Sequence, residues 1–219
     1  MAGRCRGSGV ATGKPEEMIS VAVTGGAGSG KSLVCRFFQE LGAQTISLDR
    51  MAREVVSPGA PAFDAIVKEF GSRALSPDGN LDRGVLRRII TQDREAKRRI
   101  EGITHPEIFR RLERRLRNIS AQAPDSLVVI EVPLLVETGS QDRFDVVVLV
   151  EADPEMQKRR IALRDECSAE EAQNLILPQA SSPERRQYAD YIIQNVGPLE
   201  ALQRDVGDVY QKILGFAQK

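Results

Sequence analysis

Eight consecutive residues, Gly25-Gly26-Ala27-Gly28-Ser29-Gly30-Lys31-Ser32, place a glycine, four residues, then glycine, lysine and serine between a β-branched run and a helical one. The chemistry this spacing serves is phosphate binding. Successive backbone N–H groups curl round phosphate oxygens, which calls for glycines that accept unusual dihedrals and let the anion come close. Lys31 neutralises the outer phosphates, Ser32 offers a hydroxyl to a magnesium ion, and the following helix adds its positive end. The alternative is a glycine-rich turn with an incidental lysine; the strand-loop-helix context argues against it.

Asp49 stands just past a strand-like run, where open parallel sheets meet their ligands. A carboxylate there can orient an attacking hydroxyl and accept its proton late in phosphoryl transfer; the competing role is a cap for the next helix. Arg160 and Arg164, four apart, share one helix face, and a guanidinium can hold phosphate oxygens bidentately. Ion pairs with Glu155 or Asp165 are the other reading. The stretch Asp165–Glu184 contains no Lys or Arg and has the polarity of a lid. Glu131 ends an apolar run, placed either to orient magnesium or to bridge to an arginine. His105, the single histidine, precedes Pro106 and suits packing or substrate contact as readily as proton transfer. Asn195 closes the run YIIQN before Gly197-Pro198, where a plain turn residue also fits, and Cys35 belongs with Val34, Phe37, Phe38 and Leu41 in a core face.

The elements that must position these residues are legible in outline. Five runs rich in β-branched residues, Ile19–Thr24, Gln44–Leu48, Leu127–Val132, Phe144–Val150 and Asp190–Gln194, alternate with helical stretches. That order predicts a parallel sheet with crossover helices, its central strands covered on both faces. Between the second and third runs, helical spacing covers Met51–Val56, Ala62–Phe70, Gly84–Ile90 and Arg94–Asn118, with Pro106 expected to bend or interrupt the last. Pro154–Arg164 and Pro198–Phe216 read as helices. Residues 1–17 carry no hydrophobic period and read as a disordered extension. Met18 is then the expected biological start and the preceding tail an upstream artefact, a short targeting segment being the alternative.

The 219 residues hold 31 Lys plus Arg against 31 Asp plus Glu, with 41% hydrophobic residues. Neutral overall charge removes the basic excess usual in polyanion binders, yet residues 83–117 hold twelve bases to five acids and residues 118–219 ten bases to seventeen acids. Three scattered cysteines and one histidine give no disulfide framework or zinc pattern. No run approaches the length of a membrane span, and a cytoplasmic protein is expected. A guanine-reading Asn-Lys-x-Asp motif is absent, which directs the phosphate loop toward phosphotransfer.

From Ile19 to about Leu214 the sequence resembles the dephospho-CoA kinase family. The resemblance is carried by VTGGAGSGKS, Asp49 with Ala52-Arg53 and Val56, Pro58-Gly59-Ala60-Pro61-Ala62, and Asp78-Gly79-Asn80-Leu81-Asp82-Arg83. It continues through His105-Pro106, Pro133-Leu134-Leu135-Val136-Glu137, Gln157, Arg160, Arg164-Asp165, Gln179, Ala189-Asp190, Asn195 and Gly197, in that order. Two departures stand out. The family usually has Asp-Ala-Asp where this chain has Ser47-Leu48-Asp49, and a threonine where it has Leu33.

The resemblance implies a P-loop, nucleoside-monophosphate-kinase-like α/β fold with a five-stranded parallel sheet, a helical substrate-binding insertion at 51–124 and a lid at 165–189. Residues 18–50, 125–164 and 190–219 make up the core of a single kinase domain. It implies transfer of the ATP γ-phosphate to the ribose 3′-hydroxyl of dephospho-CoA, with Mg2+. ATP is expected on Gly26 through Ser32, on the Leu33 amide, and on Arg160 and Asn195. Asp49, Lys31 and Arg164 are expected to catalyse, and Asp49, Arg83, His105 and Leu134 to face the acceptor. Ser32, with Glu131 as a second candidate, would hold the metal. No nucleic-acid or membrane partner is expected, and the chain is expected as a monomer or weak homo-oligomer.

Overall fold

The computed structural model of the chain describes residues 18–176 and 179–217. The expectation of a disordered extension over 1–17 lies outside them. Strands β1 (Ile19–Gly25), β2 (Gln44–Ser47), β3 (Leu127–Glu131), β4 (Val146–Glu151) and β5 (Tyr191–Gln194) form one sheet in the order β2-β3-β1-β4-β5, every pairing parallel. The five runs read from the sequence are these strands, each within two residues at its ends.

Two-sided burial explains why the central runs are apolar without alternation. Val21, Val23, Val129, Val148 and Val150 point to one face, where they meet Val34, Phe37 and Phe38 of α1 (Lys31–Glu40) and Leu202, Val206 and Ile213 of α9 (Leu199–Ala217). Ala22, Val128, Ile130 and Val147 point to the other. There they meet Met51 of α2 (Leu48–Glu54) and Ile108, Leu112 and Ile119 of α5 (Arg94–Gln122). Each large side chain so buried contributes roughly 1.5–3 kcal/mol.

The connection between β2 and β3 is helical, as expected. Its α3 (Pro61–Phe70), α4 (Arg83–Gln92) and the first half of α5 close a smaller core of Ile66, Phe70, Ala74, Leu81 and Ala96. Of the two outcomes expected at Pro106, a bend or an interruption, the second does not occur: α5 runs on through the proline. The ring removes one helical hydrogen bond, but the helix is gripped on both sides of it. Ala96, Ile100 and Ile103 are held in the insertion core, and Ile108, Leu112 and Ile119 against the sheet. Packing on two cores outweighs the local cost.

After β4 come α6 (Pro154–Asp165), α7 (Ala169–Ile176) and α8 (Ser182–Arg186). The last two lie in the stretch predicted as a lid. Helix α8 is fixed by a Ser181–Glu184 capping box and by Glu151 at the end of β4, which accepts from Ser182, Arg186 and Gln194. Because β1 lies between β3 and β4, the chain leaves it first to one side and then to the other. The crevice at the carboxyl ends of these strands is where such sheets bind ligands. Among the described residues no helix is long and apolar enough to cross a membrane.

Candidate active site

The phosphate loop fills that crevice between β1 and α1. Gly30 has φ 97° and Gly28 φ 72°, both in the region that a Cβ disfavours. Space is the second reason for glycine. A Cβ on Gly28 would stand 2.6 Å from the Gln157 carbonyl oxygen, and one on Gly30 2.2 Å from the Asn195 amide nitrogen. The loop is therefore pressed against α6 on one side and the segment after β5 on the other.

Polar contacts fasten it there. Asn195, 4% exposed, donates its side-chain N–H to the Ser29 carbonyl at 2.8 Å. Arg160 donates to the carbonyls of Gly28 (3.3 Å) and Ser29 (3.5 Å) and to Asn195 Oδ1 (3.3 Å). Both residues, expected as ATP contacts, thus grip the outer backbone of the cradle. Leu33, expected to lend its amide, donates that N–H to the Gly30 carbonyl at 3.1 Å and packs its side chain on the core. Its amide is consumed by the first turn of α1. Inside the cradle, Lys31 Nζ donates to the carbonyls of Gly25 (3.1 Å) and Gly26 (3.0 Å). Burial pushes its pKa down, with the Glu131 carboxylate opposing the shift and the Arg185 charge adding to it. A lysine so desolvated gains from an incoming phosphate.

Ser32 Oγ donates to Glu131 Oε1 at 2.6 Å, joining the start of α1 to the end of β3. The two residues named as metal candidates therefore present hard oxygen donors at one point, beside the cradle.

Asp49 is exposed in the first turn of α2, and the cap of that helix is Ser47, whose hydroxyl accepts the Arg50 N–H. The capping reading of Asp49 falls away. Among the described residues its carboxylate takes part in no hydrogen bond or ion pair, yet its charge reaches both Lys31 and Arg164. Asp49, His105 and Leu134 line one cavity of ≈ 130 Å³ with Phe109 and Pro133, so these three acceptor candidates converge. Leu134 is 44% exposed beside buried Leu135.

Arg164 lies on a cleft of ≈ 630 Å³ with Ala27 of the loop, Arg87, Asp165, Cys167 and Gln179. Its guanidinium makes a two-point pair with Asp165 at 2.8 and 2.7 Å, which raises its pKa. Arg83 is exposed at the start of α4 and does not line this cleft; Arg87, one turn on, does. Sequence reasoning chose the arginine inside the resemblance pattern, although the i, i+4 spacing of 83 and 87 was visible. It gave no role to Gln157, whose backbone lies against Gly28, and it passed over Arg185, a buried arginine against the loop. Cys35 is buried in the α1 core, where burial pushes its thiol pKa up and leaves it inert.

A parallel sheet in this order, a strand-loop-helix phosphate cradle, a helical insertion after β2 and arginines at the mouth together define a P-loop kinase. The comparisons narrow the class. The dephospho-CoA kinase family model matches residues 19–200. Dephospho-CoA kinase from Moorella thermoacetica is 40% identical over 196 residues, covering 90% of this chain and 92% of that one. Its counterpart from Streptomyces avermitilis is 41% identical over 202 residues, covering 92% and 97%. The structure of dephospho-CoA kinase from Campylobacter jejuni superposes with a TM-score of 0.67 at 26% identity, covering 90% of this chain and 98% of that one. The chain belongs to the dephospho-CoA kinase family.

Proposed function

We propose that this protein transfers the γ-phosphoryl group of ATP to the ribose 3′-hydroxyl of dephospho-CoA, releasing ADP and coenzyme A. The observation that carries the reading is the family match over 19–200 joined to one geometric fact. The free Asp49 carboxylate sits at an acceptor-side cavity within electrostatic reach of the phosphate-loop lysine. The loop N–H groups and Lys31 hold the β- and γ-phosphates. Asp49 orients the 3′-hydroxyl and takes its proton as the new O–P bond forms and the bond between the γ-phosphorus and the bridging oxygen breaks, leaving ADP with the electron pair. Arg164 turns from Asp165 to the charge developing on the transferring group.

Ser32 and Glu131 suit Mg2+, a hard cation that binds through one or two protein oxygens and completes its shell with phosphate and water. When bound, the ion supplies charge neutralisation on the phosphate oxygens. His105, Leu134 and Phe109 would meet the acceptor beside Asp49, with Arg87 reaching its pyrophosphate from α4. Within the basic insertion Arg99, Arg110 and Arg111 are paired with Glu69, Glu107 and Glu54. The test is to supply ATP and Mg2+ with dephospho-CoA beside adenosine, a nucleoside monophosphate and shikimate. Phosphate appearing on dephospho-CoA alone supports the proposal; preferential labelling of any other acceptor overturns it.

A further inference from the structure

Arg185 is 7% exposed, on a short surface helix, in a position where arginine is rarely so deeply covered. Its Nη2 donates to Gln179 Oε1 at 3.2 Å and lies 3.5 Å from Glu137 Oε1. Its Nη1 is close enough to Gly26 to stand 3.4 Å from a Cβ placed there. The Nε–H is buried and has no hydrogen-bond partner among the described residues. An unmet buried donor on a charged group is costly and calls for an explanation.

Gln179 leaves the Nε–H unmet, since it accepts from Nη2, but it shows what the guanidinium is placed to bind. The same carboxamide oxygen that accepts from Arg185 also accepts the Ala27 backbone N–H at 2.9 Å. One neutral oxygen therefore bridges an N–H of the phosphate cradle and a guanidinium. A phosphoryl oxygen, carrying charge, is a stronger acceptor for both donors.

We propose that Arg185 is a further nucleotide-phosphate ligand, and that the Gln179 carboxamide holds the place of a phosphate oxygen until the nucleotide displaces it. Glu137, which also accepts the Ala180 N–H at 2.8 Å, keeps Arg185 aimed at the loop. The Arg185 charge reaches Lys31 and disfavours the charged lysine, a repulsion that an arriving polyphosphate removes. The inference deepens the kinase reading and rests on it for the identity of the nucleotide.

The test separates the two. Phosphorylation of dephospho-CoA by the unmodified protein tests the kinase reading. Titration with AMP, ADP and ATP without acceptor tests the role of Arg185. Arg185→Ala is expected to weaken ATP roughly 30-fold while AMP changes less than threefold, with Arg185→Lys recovering part of the loss. Gln179→Ala removes the competitor and is expected to tighten ATP about threefold. Equal weakening of AMP and ATP, or no weakening of either, in a folded Arg185→Ala protein overturns the proposal. Should thermal melting show that Arg185→Ala does not fold, Arg185→Lys and Gln179→Ala decide. ATP binding weakened by Gln179→Ala, or Arg185→Lys matching the unmodified protein for all three nucleotides, sinks it.

Discussion

Around the phosphate loop, Gly25, Gly26, Gly28 and Gly30 each have a neighbour that a Cβ would meet at less than 3.0 Å, whereas Gly59, Gly71 and Gly79 of the insertion have nothing within 4 Å. The contrast extends to side chains. The loop is held by Asn195 and Arg160 and lies close against the backbone of Gln157, while α4, which carries Arg83 and Arg87, has no buried residue at all. The nucleotide side is thus built in advance, and the acceptor side offers charge on a lightly anchored helix. Preorganisation matters most where charge develops during the reaction, at the transferring phosphate. An acceptor needs only to be brought to Asp49.

Perturbing the two sides should give unequal results. The largest effect is expected from Asp49→Asn, which keeps shape but removes the base. Turnover should fall 10²–10⁴-fold with ATP affinity nearly constant, and steady-state kinetics with near-normal turnover would remove Asp49 from catalysis. Arg164→Ala should cost about 10²-fold in kcat, again with ATP bound normally; an unchanged kcat would leave Arg164 a surface partner of Asp165. Glycine substitutions address the contrast itself. Gly30→Ala should destabilise the fold by roughly 3 kcal/mol and abolish nucleotide binding, since it meets both the strain of φ 97° and the Asn195 amide. Gly79→Ala, with strain alone, should cost roughly 1 kcal/mol by urea denaturation. Equal losses would erase the distinction.

Glu151 offers a pH test of the nucleotide side. Its bonds from Arg186, Ser182 and Gln194 hold the carboxyl at about 2, below its ordinary 4.5. A depressed folded pKa stabilises the protein above 4.5, and that contribution disappears as pH falls from 4.5 through about 2. Glu151→Gln should therefore lose roughly 2 kcal/mol at pH 7, discounted for the exposed Arg186, and almost nothing relative to the unmodified protein at pH 2. Denaturation curves at both pH values check this. The smallest effect is expected on α4: Arg87→Ala should raise the acceptor KM about fivefold and Arg83→Ala about twofold. The reverse order would restore Arg83 as the contact.

Much of the fold was legible because it rests on local signals. The five strands, the phosphate loop and the helical insertion follow from β-branched runs, glycine spacing and apolar periodicity, each set within a few consecutive residues. Asp49, His105 and Leu134, far apart in sequence, were grouped through the resemblance, and the structure brings them to one cavity. That α5 continues past Pro106 was not legible, because a proline's local penalty is visible in sequence while two cores gripping one helix are not.

The sequence by itself determined the parallel sheet and the phosphate cradle, since the strand runs and the loop chemistry are written in short-range pattern. Only the tertiary structure decided which side chains serve the cradle from outside. Asn195 and Arg160 proved to grip its carbonyls, Leu33 to spend its amide on α1, and Arg87 rather than Arg83 to reach the Arg164 cleft. Gln179 and Arg185, more than 150 residues beyond Ala27, meet the loop only after the chain has folded back over it. Such partnerships depend on the distance between side chains in space, and a burial that leaves one N–H unmet has no signature in the order of residues.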